Sequence, residues 1–247
     1  SGIDRIHLFS IALFTKIQQK YGPYWAAKHL PLKIKRADRY LCYSPFNATI
    51  HRETDRITEG DIRYIGSPEL MTYLEPESDL INEPFYLHID QALAENSFGE
   101  ETVSKDQVTQ FYLRLNDFCL RQKSKLYIKL HPESYNSNWL PENQNIVYLK
   151  HCNNFNQVIQ SAKGCFGFYS TMIIPAIYWK PTVLFRIQYS ALQEEIKKLG
   201  NTQILDFWDF DSTEFEFRVI ENRERIKKHF ILPEGVNENS LAEILSE

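Results

Sequence analysis

From residue 85 onward, short apolar runs alternate with segments of helical period, and this alternation most narrows the folds open to the chain. The runs 85–89, 125–130, 146–149, 164–168, 182–185 and 203–205 are strand-length and largely apolar. Between them, 104–123, 154–162, 171–179 and 191–199 carry apolar residues at helical spacing. In the first of these helices Ser104 and Gln107 are placed as a capping box. They precede a stripe of Val108, Phe111, Tyr112, Leu115 and Cys119. Short apolar strands alternating with helices imply a parallel sheet covered on both faces. Residues 84–247 therefore read as one complete Rossmann-like α/β domain, closed by a long helix over 213–230 and a short one over 238–246.

Upstream the pattern is thinner. A helix is expected over 4–20, from apolar residues at 6, 9, 13 and 17, and a shorter one over 24–30. A strand over 39–43, a helix or irregular turn over 45–56 and a strand over 62–65 follow, the last ending in the turn signal Gly66-Ser67-Pro68. Two strands and two or three helices make only part of an α/β layer. Residues 1–80 thus read as a partial N-terminal α/β region, and the acidic, proline-bearing stretch 75–83 as the linker behind it. The chain opens Ser-Gly without an initiator Met, as an N-terminally truncated chain does.

Charge and cysteine usage exclude several functions. The net charge of −4 argues against a duplex nucleic-acid binder, which normally carries a basic face. The basic clusters 33–36 and 223–228 read as solvated surface. Cys42, Cys119, Cys152 and Cys165 show no CxxC pairing, and all but Cys152 lie in apolar runs, so neither a metal nor a disulfide framework follows. A reducing compartment is expected. The apolar run 8–14 is too short to span a membrane and lacks the flanks of a signal peptide. These features describe a cytoplasmic chain, either free or peripheral to the inner face of a membrane. His7, His29, His51, His151 and His229 have no metal-ligand spacing, and no cofactor is implied. His88 reads as a packed or partnered core histidine.

Two segments carry chemistry. Lys129-Leu130-His131-Pro132-Glu133 lies where a strand runs out, since Pro132 cannot continue a ladder. Strand ends of this kind are where open α/β sheets bind ligands. There His131 either donates an N–H to a phosphate oxygen or caps the turn. The second segment is Gly164-Cys165-Phe166-Gly167-Phe168-Tyr169-Ser170-Thr171. Gly167 permits close backbone approach, and Ser170 and Thr171 open the next helix, as an anion site or as an ordinary N-cap. In a parallel sheet both strand ends face one crevice, so His131 and Ser170/Thr171 can meet one phosphate group. Asp90 ends its own strand at the same crevice, as a catalytic base or as a turn or capping residue.

An HP element after a strand, followed about forty residues on by an S-T pair at a helix start, resembles bacterial sialyltransferases and polysialyltransferases. It is also similar to CDP-glycerol glycerophosphotransferases and capsule Kdo transferases. The resemblance covers residues 60–210. It implies a GT-B architecture with two Rossmann-like domains, the donor held mainly by the second. On that resemblance His131 and Pro132 match the HP element, which binds the leaving nucleotide's phosphate. Ser170 and Thr171 match the serine/threonine element, and Lys129 is an additional candidate from its position two residues before His131. The family's catalytic base lies in a short acidic motif of the N-terminal domain that has no match here, and Asp90 is the substitute.

The expected activity is an inverting, metal-independent glycosyltransferase. Its donor would be CMP- or CDP-activated, and its acceptor a glycan or glycolipid in surface-polysaccharide synthesis. The alternative is a non-catalytic nucleotide-binding or scaffold module derived from the same fold. A UDP-sugar 2-epimerase is a third candidate. It is disfavoured because Ser-Thr-Met-Ile-Ile-Pro-Ala lacks the carboxylate-rich signature those enzymes place after the second motif.

Overall fold

A computed structural model describes residues 39–55, 57–98, 101–200, 202–218, 221, 223–237 and 239–246, together with 13 and 16. Residues 13 and 16 are helical; the rest of the expected helix over 4–20, the helix over 24–30 and the basic cluster 33–36 lie outside the described residues. The chain forms two compact units, one made of residues up to Ser67 together with Lys228–Glu247, the other of Pro68–Lys227.

In the first unit, β1 (Tyr40–Cys42), α1 (Pro45–Asp55) and β2 (Ile62–Tyr64) form a strand–helix–strand element with parallel strands. Cys42, Ala48, Ile57 and Ile62 are buried together at its centre. After β2 comes Gly66, whose φ of 70° suits a glycine, and the Ser67 N–H donates to Ile231 O at 2.8 Å. Phe230 meets Phe46 with ring centroids 5.3 Å apart. The C-terminal segment, with α8 (Ser240–Ser246), therefore groups with the first unit and not with the sheet domain.

The second unit begins with α2 (Pro68–Met71). Its sheet comprises β3 (Phe85–Ile89), β6 (Lys125–Lys129), β7 (Ile146–Leu149), β8 (Cys165–Gly167), β9 (Thr182–Arg186) and β10 (Gln203–Asp206). The strand order is β10-β9-β8-β3-β6-β7, with every neighbouring pair parallel. The short antiparallel pair β4 (Ser97–Phe98) and β5 (Glu101–Thr102) precedes α3 (Lys105–Arg121). The capping box expected there is formed: the Gln107 N–H donates to Ser104 Oγ and the Ser104 N–H to Gln107 Oε1. The remaining helices are α4 (Phe155–Ser161), α5 (Ile173–Trp179), α6 (Ala191–Lys198) and α7 (Arg223–Ile226). This is the expected parallel, Rossmann-like α/β sheet, and its strand order reverses between β3 and β8. A ligand crevice in such a sheet opens at the carboxyl ends of those two strands.

Two expectations are corrected. The stretch 75–83 is not a free linker, because it is docked along α4. Asn156 Nδ2 and Gln160 Nε2 donate to Glu75 O, and the N–H groups of Glu77 and Ile81 donate to Gln160 Oε1 and Ser161 Oγ. Nor does a helix run over 213–230. Glu214, Phe215, Glu216, Phe217 and Arg218 alternate exposed with half-buried, an extended period of two. Gln203 clamps this strip by donating to Glu214 O and accepting from the Glu216 N–H, while Phe215 and Phe217 lie against Phe166 at 5.2 and 5.3 Å. Among the described residues, helix next occurs at α7 and continues as π-helix over Lys227–Ile231.

Among the described residues no helix is long and apolar enough to cross a membrane. Cys42, Cys119 and Cys165 are buried free thiols, and burial pushes Cys119 and Cys165 up to about 12.

Candidate functional site

Asp90, the first residue beyond β3, is the hub at the sheet's carboxyl edge. It is 4 % exposed, and both of its oxygens are occupied. Oδ1 accepts the Tyr112 O–H from α3 at 2.8 Å. Oδ2 accepts the main-chain N–H groups of His131 at 3.2 Å and Ala92 at 3.3 Å, and the Ser134 hydroxyl at 3.1 Å. Burial and the adjacent Asp90 hold the Tyr112 phenol well above its ordinary range, so it stays a proton donor to the carboxylate. With three donors on Oδ2 and one on Oδ1, the buried Asp90 carboxylate serves as an anchor for the loops, and a catalytic base here would have to work from within that network.

The anchored loop presents His131. Its backbone is extended (φ −66°, ψ 146°), Pro132 opens the 3-10 turn Pro132–Ser134, and the side chain leaves β6 with 40 % of its surface exposed. The Glu133 N–H donates to His131 Nδ1 at 3.4 Å. That bond places the neutral ring's proton on Nε2, which makes no hydrogen bond among the described residues and can donate to a ligand. Glu133 Oε2 lies 3.6 Å from Nδ1, an ion pair available only when the imidazole is doubly protonated. The turn-capping and ligand-donating readings of His131 are thus compatible: one nitrogen does each.

A carboxylate and amide layer that sequence reasoning missed joins the exits of β3 and β6. Glu95 accepts from Ser137 Oγ at 2.6 Å and lies 3.3 Å from Ser134 Oγ, so the single Ser134 proton is shared between Glu95 and Asp90. Asn96 Nδ2 donates to Glu133 Oε2. Between Asp90 and this layer Ala92 takes a left-handed conformation, φ 49°, which is costly for a residue with a Cβ.

Lys129 is placed otherwise than expected. Its ammonium donates to Leu130 O, Lys150 O and Tyr135 Oη at 3.1, 2.9 and 3.1 Å, so it ties β6 to β7 and is not open to a phosphate. Gly167 is also reassigned: a Cβ there would collide with the buried Ile173 side chain, so the close approach it permits is helix against strand.

On the other side of β3, the exit of β8 carries Ser170 and Thr171. The helix begins two residues later than expected, at Ile173, because Ser170 makes a turn of its own. Ser170 Oγ accepts the Met172 N–H, and Ser170 O accepts the Ile173 N–H. Among the described residues the N–H groups of Ser170 and Thr171 and the Thr171 hydroxyl make no hydrogen bond, and they form the ligand-accessible part of this turn. The turn is fixed from both sides. Gln91 Oε1 accepts the Tyr169 N–H at 3.1 Å across the β3/β8 switch point. Gln193, fully buried, donates to Phe168 O and Phe185 O at 3.2 and 2.7 Å. Neither glutamine shows a sequence signal. Glu194, also on α6, is engaged with Arg186 at 2.6 Å.

β6 and β8 flank β3, so His131 and the Ser170–Thr171 turn rise two strand spacings apart, roughly 10 Å between backbones. Side chains reaching inward from both walls can span a phosphate-bearing ligand over the floor made by Asp90 and Gln91. Beneath that floor His88 is fully buried among Phe111, Tyr112 and Phe168, with ring centroids at 5.3, 5.6 and 5.8 Å. Burial lowers its pKa to about 4, against smaller opposing effects of Asp90 and the Phe166 backbone, so His88 is a neutral core residue. Among the described residues no three His, Cys, Asp or Glu side chains are grouped to hold a metal.

No family model matches the chain. No curated protein matches it either. Solved structures do. The glycosyltransferase SnogD from Streptomyces nogalater superposes with a TM-score of 0.54 at 11% identity, over 84% of this chain and 55% of that one. MnaA of S. aureus, in a UDP co-structure, gives 0.51 at 12% over 85% and 58%. Methanocaldococcus jannaschii UDP-GlcNAc 2-epimerase, in complex with UDP-GlcNAc and UDP, gives 0.50 at 13% over 85% and 61%. At such identities the likeness is one of fold. The chain spans between 55% and 61% of the length of these neighbours.

Proposed function

We propose that residues 84–227 bind the nucleotide-activated donor of a glycosyltransferase. The phosphate would lie between His131 and the Ser170–Thr171 turn. The observation that carries this reading is the state of His131. Its main chain is anchored by Asp90, its Nδ1 is capped by the Glu133 N–H, and its Nε2 makes no hydrogen bond among the described residues while the side chain is 40 % exposed. A fixed donor aimed at a departing phosphate stabilises the charge that develops there, a contribution of about 3–4 kcal/mol for one well-placed group. Pro132 sets the turn, and the Ser170 and Thr171 N–H groups supply further neutral donors. The resemblance of the HP and S-T segments supports a CMP- or CDP-linked donor, an inverting, metal-independent transfer, and a glycan or glycolipid acceptor in polysaccharide synthesis. The setting is the cytoplasm, with acceptor work at the inner face of the membrane.

The burial of Asp90 and its engagement by four donors favour a second reading, a nucleotide-binding module without its own catalytic base. Calorimetric titration with CMP, CDP, UMP and UDP, repeated on His131→Ala, tests both. Cytidine-selective binding lost in the variant is the expected result. Binding without turnover of a CMP-linked donor supports the module, and no nucleotide binding at all overturns both.

A further inference from the structure

Beside α3 lies a cavity of about 310 Å³ that includes neither His131 nor the Ser170–Thr171 turn. One wall is α3, which contributes Asp106, Gln110 and Arg114 at four-residue spacing, hence on one stripe. The other is the segment after β10, with Phe207, Trp208 and Phe210. The base is aromatic. Phe111, 2 % exposed, contacts Phe207 and Phe210 with ring centroids at 5.2 and 5.6 Å, and Trp208 stands edge-on to Phe207 with 38 % of its surface open. The Arg114 guanidinium lies 5.4 Å from the Phe210 ring centroid. Among the described residues, the side chains of Asp106, Gln110, Arg114 and Trp208 make no hydrogen bond or ion pair.

The lining restricts the ligand chemically. Asp106 and Arg114 cancel in charge, so a phosphate would meet a carboxylate and a cationic ligand a guanidinium. A wholly apolar ligand would strip water from four polar groups without replacing their hydrogen bonds. What remains is a neutral molecule with an apolar face for Trp208 and hydroxyls that both donate to Asp106 and accept from Arg114, with Gln110 able to do either. We infer that this cavity binds a neutral glycan, one or two pyranose rings at a time. Its volume lies at the small end of ligand sites, roughly 300–1,000 Å³. The inference stands on these residues; only its assignment to the acceptor glycan rests on the transferase reading.

The test is a tryptophan-fluorescence titration of the full chain with glucose, galactose, N-acetylglucosamine, N-acetylgalactosamine and their disaccharides. Trp208→Phe isolates the signal of this one indole. A saturable response to at least one sugar is expected, and the affinity, read by calorimetry in the variants, should weaken about tenfold in Arg114→Ala and in the solvent-facing Gln110→Ala and be lost in Trp208→Ala. All variants should bind CMP as the parent does. No saturable response to any sugar, or one that survives in the Trp208→Ala/Arg114→Ala double variant, overturns the inference. A Trp208-dependent response to cytidine or uridine instead of sugars also overturns it, in favour of a nucleobase site. Sugar binding retained while nucleotide binding fails would remove the crevice reading and leave this one standing.

Discussion

Asp90 holds His131 by its main chain: carboxylate Oδ2 accepts the His131 N–H at 3.2 Å while Oδ1 accepts the Tyr112 O–H at 2.8 Å. One buried side chain thereby ties the exit of β3 to the exit of β6 and to α3. The ring of His131 takes no part in that tie.

Replacing Asp90 should therefore be read first in stability. Asp90→Ala leaves Tyr112, His131, Ala92 and Ser134 donors without their acceptor and should cost about 3 kcal/mol in urea unfolding. Asp90→Asn should cost about 1 kcal/mol, because its amide can turn its NH₂ toward Tyr112, whose hydroxyl can accept. If Asn proves as damaging as Ala, the carboxylate's charge matters beyond its hydrogen bonds.

Lys129 and His131 should separate cleanly. Lys129→Met removes three bonds between β6, β7 and Tyr135 and should lower stability by about 1–2 kcal/mol, with nucleotide affinity changed less than twofold. His131→Ala should leave unfolding within about 0.5 kcal/mol and abolish nucleotide binding. Parallel calorimetry and urea titration on both variants check this.

His88 sets an acid limit. Its folded pKa is lowered from 6.5 to about 4, so between those values the unfolded chain binds a proton that the folded chain excludes. Stability from this group is complete above pH 6.5 and falls as pH drops toward 4, by about 3 kcal/mol in total. Unfolding measured across that window should show the slope, and His88→Leu should remove one proton's share of it.

Gly167→Ala should destabilise by about 1–3 kcal/mol through its collision with Ile173. Shortening the partner, as Ile173→Val, should recover part of the loss. A strictly additive double variant would show that the two residues do not share the contact.

The layered α/β architecture was legible because burial of a strand or a helix face leaves a period in the chain itself. The runs at 85–89, 125–130 and 182–185, the capping box of Ser104 and Gln107, and the core position of His88 all follow from residues close in sequence. The same logic misled over 213–230, where Phe215 and Phe217 alternate with Glu214 and Glu216 and the period is two. Position alone likewise made Lys129 and Gly167 look ligand-facing. Their actual partners are Lys150 O and Tyr135 for one and Ile173 for the other.

The candidate site divides along the same line. Local sequence placed His131 and the Ser170–Thr171 pair at strand exits, since proline and turn chemistry act within a few residues. The strand order β8-β3-β6 alone made those exits neighbours, and it is set by pairings between distant segments. From that order follow the Asp90 hub, the Gln91 bond to Tyr169, the Gln193 clamp and the Glu95 layer, each linking a side chain to a loop that only the fold brings near. A buried polar group must find a partner, but which partner depends on what the sheet sets beside it.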